Sequence, residues 1–336
     1  MSIESQKSEQ ASTIGVLGAG AWGTALAQLI ASNGTKVRLW AREAEVADAI
    51  NSIHQNSAFL PDIPLSSDIH ASTELSALNG CNIILAVTPA QHLAATLAGL
   101  DSSIQRDLIL CCKGIEASTG RFMHEVAKSA QPDAQIAVLS GPTFAHELAL
   151  GKPAAVTLAC ENRAQWDRLS NILVRPHFRP YYSADLMGAE IGGAVKNVLA
   201  IACGVADGLG LGQNARAALI SRGYAEMVRF GEACGAESET LTGLCGLGDL
   251  VLTCSSTSSR NFSLGVALGQ GKAAAQLLAD RATVAEGAHS AAVVQRLARE
   301  KAVQMPLVDA VCALLSGDFS ADNIITSLLS RPLQAE

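Results

Sequence analysis

The stretch Thr13-Ile14-Gly15-Val16-Leu17-Gly18-Ala19-Gly20-Ala21-Trp22-Gly23-Thr24, running on to Gly34, decides how this chain folds. Its apolar start (Ile14, Val16, Leu17) reads as a short strand and Thr24 to Ala31 as an apolar helix. Gly34 closes that helix, and Thr35–Trp40 begins a second strand. Gly18, Gly20 and Gly23 form G-x-G-x-x-G, a weak motif alone but a dinucleotide-binding signal between a strand and a helix of one βαβ unit. Gly18 permits the tight turn, Gly20 lets a pyrophosphate approach the backbone, and Gly23 lets the helix pack on the strand. The helix N-terminus offers free N–H groups and a partial positive charge to phosphates. The plain alternative is a glycine-rich turn with no ligand.

Outward from this unit, buried apolar runs recur: Cys81–Val87, Asp107–Cys112, Gln135–Leu139, Ala154–Ala159 and Phe178–Tyr182. Such runs, alternating with helical segments such as Ala90–Leu100, predict an α/β Rossmann-type doubly wound parallel sheet. His54–Pro64 carries two prolines and reads as a loop. From Ala184 the signals are helical, over Ala184–Asp207, Asn214–Cys234, Glu239–Val251, Asn261–Leu268, Lys272–Leu278, Gly287–Glu300, Pro306–Leu315 and Ala321–Leu329. The expected organisation is a loose tail over 1–12, a dinucleotide-binding domain over 13–184 and an all-helical substrate-binding domain over 185–336.

The 336 residues are 49% hydrophobic and 16% charged, enough to bury a large core. A net charge of −7 argues against a nucleic-acid partner, so an anionic substrate needs a local cation. Nine scattered cysteines without C-x-x-C read as buried thiols of a reduced, cytoplasmic protein. Met1–Ser12 lacks the apolar core of a signal peptide. The most apolar helix, around Ile191–Val205, contains Lys196 and Asn197 and is expected to be too short to cross a bilayer, so no membrane insertion is expected. The seven histidines show no metal-ligand spacing, and no metal is assigned.

Lys196 is the most informative single residue. Its helix is apolar on nearly every face, and a buried lysine is paired, functional or snorkelling to a helix end. Lys113 ends a buried strand where ligands of such sheets bind, although a strand-end lysine can also simply reach solvent. Asp249, in Gly246-Leu-Gly-Asp249-Leu-Val-Leu, is an acid in apolar surroundings, equally readable as a helix cap or a lysine partner. Ser255-Ser-Thr-Ser-Ser259-Arg260-Asn261 brings hydroxyls, an arginine and an amide to a helix start, a phosphate cradle or an ordinary capped loop. Arg42 and Glu43 follow the second strand. An arginine there accepts the 2′-phosphate of NADP and an acid the 2′-hydroxyl of NAD; the order favours NADP(H) with NAD(H) tolerated.

Gly18-Ala-Gly-Ala-Trp-Gly-Thr-Ala-Leu-Ala27, Cys112-Lys113-Gly-Ile-Glu116, Ser140-Gly-Pro-Thr-Phe-Ala145, Val195-Lys196-Asn197, Gly246-Leu-Gly-Asp-Leu250 and Ser259-Arg260-Asn261 occur in that order. The set resembles the NAD(P)-dependent glycerol-3-phosphate dehydrogenase family of the soluble bacterial type, from about Ile14 to Leu329. The resemblance implies reversible reduction of dihydroxyacetone phosphate to sn-glycerol 3-phosphate, feeding glycerophospholipid synthesis. It implies Lys196, Lys113 and Asp249 as the catalytic set, with Lys196 as proton donor and acceptor. Lys113, Gly141, Thr143, Lys196, Asp249, Ser259, Arg260 and Asn261 are its implied substrate contacts. Gly18, Gly20, Ala21, Trp22, Gly23, Arg42, Lys113, Ala145, Arg260, Val284 and Glu286 are its implied cofactor contacts. Ala21 and Thr143 stand where the family often has serine; the second change keeps a hydroxyl. Two rivals, a hydroxy-acid dehydrogenase and a non-catalytic nucleotide sensor, differ in substrate and in turnover. A homodimer is left open.

Overall fold

The computed structural model describes residues 13–279, 285–317 and 319–321. Eight strands form one sheet: β1 (Ile14–Leu17), β2 (Val37–Trp40), β3 (Ile69–Ser72), β4 (Ile83–Ala86), β5 (Asp107–Leu110), β6 (Gln135–Ser140), β7 (Ala154–Cys160) and β8 (Phe178–Ser183). Their order is β3-β2-β1-β4-β5-β6-β7-β8. The chain winds outward from β1 to β3, then returns to place β4 on β1's other side. That reversal opens the ligand crevice of a doubly wound sheet at the carboxyl ends of β1 and β4.

Strands β1, β4 and β5 are buried along their whole length, and successive side chains feed two cores. Ile14, Val16, Leu85 and Ile109 pack on one face, beneath α1 (Ala21–Ala31), α2 (Ala44–Ile53), α5 (Ala145–Ala149) and α6 (Arg163–Leu173). Leu17, Ile84, Leu108 and Leu110 pack on the other, with α3 (Leu93–Ala98) and α4 (Met123–Ala130).

Three features depart from the sequence reading. Strand β3 was not expected: it has one large apolar residue, Ile69, and alternates buried with exposed. Strand β7 runs antiparallel to β6, with Ser140 opposite Thr157. The connection between them holds only the five-residue α5, so the chain folds back; β8, reached through α6, is again parallel to β7. The helix expected over Glu239–Val251 is instead α9 (Ser238–Thr242), one π turn over Leu244–Gly248, and α10 (Asp249–Thr253). Gly243, Gly246 and Gly248 deprive a continuous helix of propensity there.

From Leu186 onward every described element is helical: α7 (Leu186–Gly208), α8 (Gly212–Cys234), α9, α10, α11 (Arg260–Gly269), α12 (Ala274–Ala279), α13 (Glu286–Glu300) and α14 (Pro306–Ser316). They surround a third core containing Val195, Val198, Phe230, Phe262 and Val294. The helix expected over Ala321–Leu329 lies outside the described residues apart from Ala321. Asp185 caps α7, accepting the Gly188 N–H at 2.7 Å. Helix α7 has close to the extent expected, but by length and composition it could cross a membrane, which corrects the reading that its apolar stretch is too short. Here it is the central helix of the fold, buried from Gly188 to Ile201.

Candidate active site

Helix α7 carries Lys196 into the core. Two factors make this possible. The residues around it (Ala194, Val195, Val198, Leu199) are apolar and buried. One turn earlier, a Cβ on Gly192 would overlap the Cys245 carbonyl oxygen, so glycine lets α7 press against the π turn. The π turn ends at Gly248, and Asp249 therefore enters α10 facing α7.

Asp249 is fully buried and bridges two ammonium groups. Lys196 Nζ donates to Oδ1 at 2.6 Å and Lys113 Nζ donates to Oδ2 at 2.7 Å. Lys196 Nζ also donates to Thr253 Oγ1 at 2.8 Å. Lys113, just beyond β5, additionally reaches the Gly141 carbonyl at 3.5 Å. One carboxylate thus joins the end of a sheet strand to the central helix. These are charge-assisted hydrogen bonds, and two cations on one anion leave the trio with net positive charge inside an acidic protein.

Burial pulls the Lys196 amine below its ordinary value, to about 7; Asp249 opposes the shift and the Lys113 charge adds to it. Burial likewise raises the Glu286 carboxyl to about 7, against the pull of Arg260, the Ala90 N–H and both lysines. Glu286 opens α13 and shares the electrostatic field of the lysine site. Glu190, about two turns before Lys196 on α7, accepts the backbone N–H of His124 and contacts its Nδ1, both at 2.7 Å. This pair ties α4 to α7.

The remaining candidates fall in several places. Gly141 and Thr143 follow β6, and the Thr143 hydroxyl donates to the Gly141 carbonyl at 3.3 Å. Ser259 caps α11 by accepting the Phe262 N–H at 3.2 Å. Asn261 Oδ1 accepts the Gly287 N–H at 2.9 Å, holding α13 to α11. The capping reading of the serine loop is therefore realised, yet the Ser259 O–H and the Asn261 NH₂ keep further donors. Arg260, between them, is exposed. Arg42 stands apart at the carboxyl end of β2, exposed, its Nε donating to Glu43 Oε1 at 2.9 Å. Val284 lies outside the described residues. Sequence reading missed Thr253, whose only signal is a hydroxyl four residues after Asp249 on one helix face.

The glycine turn fits a dinucleotide. Gly18 has φ +120°, closed to most side chains, and a Cβ on Gly23 would overlap the Gly18 carbonyl oxygen. Above Gly20 there is open space. Gly20 caps α1 without a side-chain bond, and Thr24 is the first residue whose N–H bonds back, to Gly20 O at 2.9 Å. The N–H groups before it are left for an anion. Ala21 and Trp22 begin α1, and Ala145 begins α5 on the same side. Buried Trp22 Nε1, Thr88 Oγ1 and Ser140 Oγ have no hydrogen-bond partner among the described residues. All three lie at the carboxyl ends of strands or on the glycine turn.

A doubly wound sheet with a dinucleotide turn, facing a buried lysine–carboxylate–lysine cluster, defines a nicotinamide-dependent oxidoreductase. Family models for the N-terminus and the C-terminus of NAD-dependent glycerol-3-phosphate dehydrogenase match residues 13–166 and 185–326. The chain is 64% identical to the glycerol-3-phosphate dehydrogenase [NAD(P)+] of Erythrobacter litoralis, over 96% of this chain and 97% of that one. It is 62% identical to the one from Novosphingobium aromaticivorans, over 96% and 98%. The crystal structure of glycerol-3-phosphate dehydrogenase from Coxiella burnetii superposes with a TM-score of 0.90 at 38% identity, covering 95% of this chain and 99% of that one. The chain belongs to the NAD-dependent glycerol-3-phosphate dehydrogenase family.

Proposed function

We propose that this protein catalyses the reversible NAD(P)H-dependent reduction of dihydroxyacetone phosphate to sn-glycerol 3-phosphate, feeding glycerophospholipid synthesis. The observation that carries the site assignment is the buried Lys196–Asp249–Lys113 cluster. The nicotinamide cofactor, when bound, supplies the hydride. Negative charge then develops on the C2 oxygen of the substrate, and Lys196 delivers a proton to it. Asp249 holds Lys196 charged and fixes its direction, and Lys113 adds a second positive charge beside the developing oxyanion. With Lys196 titrating near 7, one residue serves both directions: protonated for reduction, neutral for oxidation. We take 13–184 as the dinucleotide-binding unit and 185–336 as the substrate-binding unit. A cytoplasmic location is supported by nine free thiols and no disulfide. The test follows NADPH and NADH oxidation with dihydroxyacetone phosphate beside 2-keto acids. Turnover of the triose phosphate should dominate; preference for a keto acid would overturn the assignment.

Arg260, Ser259 and Asn261 are proposed to hold the substrate phosphate at the start of α11, with Gly141 and Thr143 closing the other side. Lysine in place of Arg260 keeps the charge and loses the planar fork. Arg260→Lys should weaken use of dihydroxyacetone phosphate by about 1–3 kcal/mol and affect dihydroxyacetone much less. An unchanged ratio of kcat/KM for these two substrates would remove Arg260 from the phosphate site.

Arg42 is proposed to read the 2′-phosphate of NADP. It is exposed and its partner Glu43 is adjacent in sequence, so the ion pair costs little to break. Arg42→Ala should raise KM for NADPH by roughly tenfold or more, about the value of one charge-assisted contact, and leave KM for NADH nearly unchanged. Equal effects on both cofactors would shift the assignment to Glu43.

A further inference from the structure

Asn56 lies three residues beyond α2, in the segment read from sequence as an ordinary proline-containing loop. It is 1% exposed, and its side-chain amide is hydrogen-bonded at both ends. Nδ2 donates to the Ala19 carbonyl and to Thr24 Oγ1, each at 2.8 Å. Oδ1 accepts the Phe59 N–H at 3.2 Å. Its own carbonyl accepts from Leu60 N–H at 2.8 Å, so the loop closes around it. Thr24 is fully buried on α1, and its hydroxyl donates to the same Ala19 carbonyl at 3.2 Å.

The two acceptors straddle the glycine turn. Ala19 is the residue between Gly18 and Gly20, and Thr24 is the first residue of α1 to bond back along the helix. In a trans peptide the C=O and the following N–H point in opposite directions. Holding the Ala19 carbonyl toward Asn56 therefore turns the Gly20 N–H away from Asn56. We infer that Asn56 is a positioning residue that sets the peptide orientation of the dinucleotide turn, and so the affinity of the pyrophosphate shared by NAD(H) and NADP(H). An unsupported Gly-Ala-Gly turn would sample other peptide orientations, because glycine on both sides of Ala19 permits them. Asn56 replaces that freedom with a hydrogen bond to the Ala19 carbonyl and a second to Thr24, whose hydroxyl holds the same carbonyl, both made before any ligand arrives, which is preorganisation. It touches neither the lysine cluster nor the end of β2, so its effect is confined to the part common to both cofactors.

This inference rests on the dinucleotide reading of the turn, and the experiment separates the two. Dissociation constants of NADPH and NADH are measured by reduced-cofactor fluorescence, and that of ADP-ribose by calorimetry, on wild type, Asn56→Ala and Thr24→Val. Wild type that binds none of the three would overturn the dinucleotide reading itself. With wild-type binding in place, Asn56→Ala should weaken all three ligands in the same proportion, by about tenfold, the scale of one or two hydrogen bonds. Thr24→Val keeps the shape, removes one acceptor, and should shift all three in the same direction by a few-fold. At saturating cofactor, kcat and KM for dihydroxyacetone phosphate should stay within about threefold of wild type, since substrate contacts are untouched. Should Asn56→Ala fail to fold, Thr24→Val decides alone. Unchanged dissociation constants in a folded variant overturn the inference. So does a shift confined to NADPH, or a fall in kcat with binding intact.

Discussion

Replacing Lys196 by alanine is expected to lower kcat for reduction by about two orders of magnitude or more, the usual worth of a positioned acid–base group, while NADPH still binds. The expectation follows from burial. A lysine 5% exposed among valine, leucine and alanine, with its ammonium on a buried carboxylate, is costly to maintain for packing alone. The pH profile makes the assignment specific. Reduction needs the protonated amine, so wild-type kcat/KM for reduction should fall as pH rises through about 7, and the oxidation rate should rise over the same range. Glu286 titrates in that window too and faces the same lysines. The comparison with the variant therefore decides between them: the descending limb should vanish in Lys196→Ala. A variant that retains most of its kcat, or that keeps the limb, would exclude Lys196 as the acid.

The parts legible in the sequence are those whose physics is local. The glycine turn declares itself because each glycine answers one steric demand of one strand–turn–helix, and Gly18 and Gly23 meet those demands in the structure. The buried parallel strands declare themselves as apolar runs. Strand β3 does not, since Ile69-His70-Ala71-Ser72 places only Ile69 and Ala71 in the core, and its pairing with β2 supplies the rest. The direction of β7 is invisible as well: an apolar run has no sign, and only the shortness of its connection turns it antiparallel.

The site divides the same way. Lys196 stands out as a charge in an apolar helix, but its partners come from long range: Asp249 is 53 residues and one broken helix away. Reading Glu239–Val251 as continuous loses the π turn that aims Asp249 at α7. Asn56 gave no signal at all. A buried amide in a proline-containing loop looks like any surface asparagine until the turn it supports is folded beside it.

Asp249→Asn is the sharpest test of that long-range construction. The substitution preserves shape and removes the charge between two ammonium groups held at 2.6 and 2.7 Å. An amide can accept from one lysine with its oxygen, but its NH₂ then faces the other ammonium, donor against donor. Removing one partner of a buried pair costs about 3–5 kcal/mol when the other stays charged. Lys196 has an escape: losing its proton. Asp249 is the group that raises the Lys196 pKa against burial and Lys113, so without it the amine should titrate below its present value of about 7 and be largely neutral at that pH. Reductive kcat/KM at neutral pH should then fall by more than about a hundredfold, as about 3 kcal/mol in barrier implies. The descending limb of the pH profile should move toward acid, so that lowering the pH restores part of the reductive rate, and the NADPH dissociation constant should hardly change. The direction of that limb is the discriminating quantity. A structural defect alone lowers the rate at every pH without moving it, whereas a limb that stays in place or moves toward alkali would show that Asp249 does not keep Lys196 charged.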